Sequence, residues 1–102
     1  MAGARQSWFE HLGVSYHVAA WGDPDALPVV LLHGFAQSAE SWAEIAPRLA
    51  EARFVVAPEL VGHGKSDKPD DPSVYEMDAV TDMLSAFLSE RFSRKAALVG
   101  YS

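Results

Sequence analysis

Apolar residues along the chain gather into runs separated by polar, turn-forming stretches, and the spacing within each run points to an element. The first stretch, SWFEHLGVSYHVAAWG over 7–22, is rich in aromatic and β-branched residues and is interrupted at Gly13. It predicts two short strands joined by a tight turn. After the turn-rich GDPDALP comes VVLL, a near-continuous apolar run bounded by Pro28 and Gly34. That is the pattern of a parallel strand covered on both faces, where neither side of the pleat meets water. RFVVAPEL at 53–60 and KAALVGYS at 95–102 repeat it.

Helical spacing fills the intervals. Trp42, Ile45, Ala46 and Leu49 fall at i, i+3, i+4 and i+7, with Ser41 and Glu44 at capping-box spacing. Pro47 has no N–H to donate, so this segment is expected to bend there, or to break into two short helices with Pro47 in the first turn of the second. From about Val74 to Phe92 the stripe Met77, Val80, Leu84, Phe87, Leu88 predicts a longer helix, with Ser73 and Glu76 as a second capping box. A hairpin followed by strand, helix, strand, helix, strand predicts an α/β layered sheet built from right-handed parallel crossovers. The chain has 102 residues and no repeat, linker or low-complexity tract, which makes one unit and not two.

Charge and composition narrow the partners. The net charge is -6, with 14 acidic against 8 basic residues and no basic run, so neither nucleic acid nor an anionic membrane surface is expected as a partner. Without cysteine the chain can form no disulfide, thiolate zinc site or thiol nucleophile. That composition suits a reducing compartment, and a cytoplasmic location is expected. The longest apolar run, LPVVLL, is far short of the roughly 18 residues a membrane span requires. No signal peptide or span is expected.

In open α/β sheets, ligands bind beyond the carboxyl ends of the strands, so chemistry belongs in the loops that follow the apolar runs. Those loops read HGFAQSAES, LVGHGKSDKPDDPS and YS. Gly34, directly after a strand, allows a sharp turn that presents backbone N–H groups. The Gly64-Lys65-Ser66 triplet invites a phosphate-binding reading, but Glu59 stands where that template needs its first glycine. Asp67, Pro69, Asp70, Asp71 and Pro72 then keep the stretch a loop where the template needs a helix. Gly100-Tyr101-Ser102 is the first half of G-x-S-x-G, the turn that lifts a serine hydroxyl above a sheet. His11 and His17 read as half-exposed strand residues without a catalytic part. His33 and His63, each beside a glycine at the active edge, read as hydrogen-bonding residues that shape the loops. No pair among the four has the spacing of a metal site, and no metal or cofactor is expected.

Taken in order, VVLLHGFAQSAESW, PELVGHGKSDKP and AALVGYS resemble the N-terminal half of the α/β-hydrolase fold, over nearly the whole chain from about Ser7. Within that superfamily, HGF with SAESW, GHGKSDKP followed by DPSVYEM, and LVGYS are most similar to the menaquinone-pathway 2-succinyl-6-hydroxy-2,4-cyclohexadiene-1-carboxylate synthases. The resemblance implies that Ser102 is the nucleophile and that the Phe35 N–H is one donor of the oxyanion hole. It also implies that His33, Gly34, His63 and Gly64 shape the active edge, and that Tyr101 contacts a small-molecule substrate. The implied reaction is a triad-dependent proton abstraction with elimination of pyruvate; a serine ester or C–C hydrolase of the same fold is the alternative. Aspartate-nucleophile dehalogenases and epoxide hydrolases fit less well, because residue 102 is serine. A small non-catalytic α/β binding domain is the reading from another class. The family places its second oxyanion donor, its acid and its histidine after the serine. Residues 1–102 are therefore expected to be the N-terminal part of one α/β-hydrolase domain, truncated at the nucleophile elbow and inactive in isolation. The last strand is then expected to offer an apolar edge open to self-association. Glu59 stands where the family usually carries Asp before the GHG turn.

Overall fold

The computed structural model describes residues 3–101. Five strands form one mixed sheet: β1 (Arg5–His11), β2 (Val14–Trp21), β3 (Pro28–Leu32), β4 (Phe54–Pro58) and β5 (Ala97–Gly100), in the spatial order β1-β2-β4-β3-β5. The first two are an antiparallel hairpin in the register Phe9↔Tyr16 and His11↔Val14. Leu12 and Gly13 form its turn with φ of 49° and 81°, the left-handed pair that a two-residue hairpin requires. Strand β2 runs antiparallel to β4, and β3 runs parallel to both β4 and β5. This is the layered sheet expected from the sequence, a hairpin followed by parallel strands joined by helical crossovers.

Two apolar layers clasp the sheet. On one face Phe9, Tyr16, Val18 and Val56 pack against Met83 and Phe87 of α2 (Met77–Arg91). On the other, Ala19, Trp21, Val29, Leu31, Val55 and Ala57 meet Ala39 and Ala46 of the first crossover. Alternate residues of β2 and β4 serve opposite layers, as the period of a strand dictates.

The first crossover takes the broken form. A 3₁₀ turn at Ala39–Trp42 is followed by the single-turn helix α1 (Ala46–Leu49), with Pro47 at its start, where a missing N–H costs nothing. The capping box predicted at Ser41 and Glu44 is not used. Ser38 caps instead, its hydroxyl accepting from the Glu40 N–H. A similar shift occurs before α2, where Asp71 caps a 3₁₀ turn over Pro72–Tyr75 and the helix begins only at Met77. Glu76 precedes it without a side-chain cap. The buried stripe of α2 centres on Met83 and Phe87, while Met77, expected inside, is 77% exposed. Among the described residues no helix is long and apolar enough to cross a membrane.

Two strands differ from their expected burial. His17 is 1% exposed, not half-exposed, because β2 is an interior strand with both neighbours paired and both faces covered. Strand β5, with the apolar look of a doubly covered strand, is exposed along its whole length and paired only to β3 among the described residues.

Candidate active site

The carboxyl ends of β3, β4 and β5 lie side by side, so the loops starting at His33, Glu59 and Tyr101 share one edge of the sheet. The β3 loop is shaped by bonds from its own and neighbouring side chains. The Gly34 N–H donates to Gln37 Oε1 at 3.0 Å, the Gln37 N–H to the Gly34 carbonyl at 3.1 Å, and the Ala36 N–H to His63 Nε2 at 3.1 Å. Of the amides from Gly34 to Gln37, only that of Phe35 has no partner among the described residues. The Phe35 side chain is itself 91% exposed.

His33 and His63 link the two loops reciprocally. His33, on the β3 loop, donates from Nδ1 to the Gly34 carbonyl and accepts the Leu60 N–H of the β4 loop at Nε2, 3.0 Å away. His63, on the β4 loop, donates from Nδ1 to the Val61 carbonyl and accepts the Ala36 N–H of the β3 loop. Their rings lie 4.9 Å apart. Because each Nε2 faces an amide donor, each ring carries its proton on Nδ1, with no nitrogen free for a substrate proton. Burial pushes the His33 imidazole below its ordinary range, and His63 adds to this; the Gly34 carbonyl and the Glu59 charge oppose it only in part.

In the sequence Glu59 stands out only as a departure from the usual Asp, and no motif marks it as a site residue. Its buried carboxylate accepts the Ala39 N–H at 3.0 Å, the Lys65 N–H at 2.9 Å and His17 Nδ1 at 2.8 Å, joining both loops to β2. Burial alone would raise its pKa, but the Lys65 and Ala39 amides and the His17 contacts outweigh that and hold the carboxyl below its usual range. Gly64 completes the arrangement: at φ +54° its backbone closes over Glu59 so tightly that a Cβ would overlap the carboxylate. The usable signal was an acid at a strand end beside a glycine-rich loop. The same bond disposes of phosphate binding, since the Lys65 amide is already taken and buried Ser66 donates to the Glu59 carbonyl at 2.6 Å.

Tyr101 continues β5, its N–H donating to the Leu32 carbonyl. Its exposed side chain lines a recess of about 240 Å³ with Gln37, Ser41 and Trp42, apart from His33 and His63. The Trp42 indole N–H is buried there without an acceptor among the described residues. A second, mostly apolar recess of about 330 Å³ opens beside Phe35 and His63, lined by Leu60, Val61, Tyr75 and Met77. Ser102 lies outside the described residues.

The family described as "alpha/beta hydrolase fold" matches residues 28–102. Epoxide hydrolase A of Mycobacterium tuberculosis is 36% identical over 90 residues, covering 87% of this chain and 28% of that protein. The putative 2-succinyl-6-hydroxy-2,4-cyclohexadiene-1-carboxylate synthase of Bacillus subtilis is 32% identical over 90 residues, covering 88% and 32%. Among solved structures, the thioesterase domain from the curacin biosynthetic pathway superposes with a TM-score of 0.91 at 28% identity, covering 97% of this chain and 37% of that one. The chain spans about a third of the length of the relatives it matches.

Proposed function

The chain belongs to the α/β-hydrolase fold family, and on that premise we propose that it supplies the nucleophile strand and the oxyanion loop of a serine-dependent site acting on a small molecule. The reading rests on one observation above all. The Phe35 amide, alone in its turn, is left without a partner among the described residues, at the same sheet edge to which β5 delivers Gly100 and Tyr101.

In this reading the Ser102 hydroxyl serves the reacting centre, and the Phe35 N–H donates to the oxygen on which negative charge develops. The apolar recess beside Phe35 takes the substrate's hydrocarbon part, and Tyr101 contacts it from the β5 side. The base is none of the chain's four histidines. His33 and His63 are committed to the loops, His17 is bonded to Glu59 and Gln6, and His11, on β1 at the far edge of the sheet, pairs with Asp82 of α2. Loss of a triad's base alone costs on the order of a million-fold in rate. Residues 1–102 alone should therefore cleave p-nitrophenyl acetate no faster than their Ser102→Ala variant, and a rate that drops on that substitution would refute this assignment of the base.

The chemistry favoured by GHGKSDKP, DPSVYEM and LVGYS is elimination of pyruvate to form 2-succinyl-6-hydroxy-2,4-cyclohexadiene-1-carboxylate, supported by the Bacillus subtilis relative. Serine hydrolysis of an ester is the second reading, supported by the structural likeness to a thioesterase domain. A chimera in which residues 1–102 replace the matching third of the Bacillus subtilis protein separates the two. Pyruvate release that depends on Ser102 supports the lyase, and Ser102-dependent ester cleavage without it supports the hydrolase. A folded chimera with neither activity would overturn the proposed function.

A further inference from the structure

Ala36 has φ +64°, a left-handed conformation that residues with a Cβ seldom adopt, and it sits next to the amide assigned to the oxyanion hole. Strained backbone of this kind persists only where its surroundings over-determine it. Packing does not supply that constraint, because Phe35 and Ala36 are both exposed. The turn is closed locally by the Gln37 N–H on the Gly34 carbonyl and by the Gly34 N–H on Gln37 Oε1, and from outside it the side chain hydrogen-bonded to Ala36 itself among the described residues is His63, 27 residues away. Its ring has three further neighbours: the Val61 carbonyl on Nδ1 at 2.9 Å, the His33 ring at 4.9 Å and the edge-on Phe35 ring at 5.9 Å.

We propose that His63 is a positioning residue for the oxyanion loop: by accepting the Ala36 N–H it holds Ala36 left-handed and thereby fixes the Phe35 amide without an internal partner. This rests on the reading of Phe35 given above, and it assigns the strained alanine a cause. Were Ala36 a glycine, the turn would hold its shape unaided. With alanine, the Gly34–Gln37 bonds close the turn and the His63 acceptor adds the hold on Ala36 itself. His33 makes the mirror-image bond to Leu60, whose φ is not left-handed, so the two histidines differ in what they hold.

The test uses the 102-residue chain and nuclear magnetic resonance. In the unmodified protein the His63 nitrogens must show Nδ1 protonated and Nε2 bare; the opposite tautomer overturns the proposal without any variant. His63→Ala should move the Ala36 Cα and Cβ shifts out of the left-handed range, shift the Phe35 amide, and speed Ala36 N–H exchange by up to about tenfold, the worth of one hydrogen bond. His63→Gln keeps an acceptor oxygen and should retain the parent Ala36 and Phe35 signals. Adding Ala36→Gly to His63→Ala should restore the Phe35 amide, because glycine takes this φ freely. Unchanged Ala36 and Phe35 signals in His63→Ala, or failure of both rescues, would sink the idea. Absence of Ser102-dependent turnover in the chimera would refute the function while leaving these spectra as they are.

Discussion

Strands β1 and β5 close the two edges of one sheet on opposite terms. Strand β1 is bound along its whole length to β2 and buries Phe9 against Phe87. Arg91 of α2 also fastens to it, donating to Ser7 Oγ and the Trp8 carbonyl while lying over the Phe9 and Phe87 rings. Strand β5 pairs with β3 alone among the described residues and buries nothing, with Leu98 54% and Val99 43% exposed. The stable frame therefore lies at the hairpin side, whereas Gly100 and Tyr101 lie on the side with least burial.

The largest effect that separates the two edges is expected from Phe87→Ala. This ring is fully buried between Phe9 and Phe92, and its removal should cost about 3 to 5 kcal/mol in urea unfolding. A loss below about 1 kcal/mol would mean that the α2 layer is not the frame. Next comes Glu59→Gln, which breaks a buried pair and sets an amide NH₂ against donors from Ala39 or Lys65, at a cost of about 3 kcal/mol. It should also loosen both loops, seen as faster exchange of the Ala39 and Lys65 amides, while β1 stays protected.

Acid should act on the same side of the molecule. His33 and Glu59 both have folded pKa values below their ordinary ones, so on acidification the unfolded chain takes up each proton first. Stability is therefore full above about pH 6.5, falls below that as His33 is lost from balance, and falls again below about pH 4.3 through Glu59. The urea midpoint followed against pH checks this. Glu59→Gln should shrink the lower step, to which Asp71 also contributes, and leave the upper one, and a midpoint that rises between pH 7 and 5 would contradict the sign.

The hairpin, β3 and β4 could be read from the sequence because apolar alternation and bounded apolar runs are local signals, and Pro47 announced the broken crossover. Capping-box spacing favours Ser41 and Ser73, but several Ser and Asp residues compete for each helix start, and tertiary packing picks Ser38 and Asp71. His17 was misjudged because alternation cannot tell an edge strand from an interior one. The part played by Glu59 was hidden for a further reason: its partners come from residues 17, 39 and 65, and no spacing within the chain links them. Loop residues that meet only in the fold leave a weak trace in sequence.

The smallest change in stability should come from the other edge, and it sharpens the comparison most. Leu98→Lys alters a side chain that is 54% exposed on β5, so the unfolding free energy should move by no more than about 0.5 kcal/mol. Association should respond far more. A strand with unpaired N–H and C=O groups and apolar Leu98 and Val99 is a template for pairing with another copy, and a charge on such an edge opposes it. Sedimentation of the parent chain should depend on concentration, and Leu98→Lys should shift it toward the monomer, whereas Trp8→Lys, at a comparably exposed position on β1, should leave association as it was. Association abolished equally by both substitutions would place self-contact on the general surface and not on β5. A parent chain that stays monomeric at high concentration would show that β5, although exposed, is not an adhesive edge.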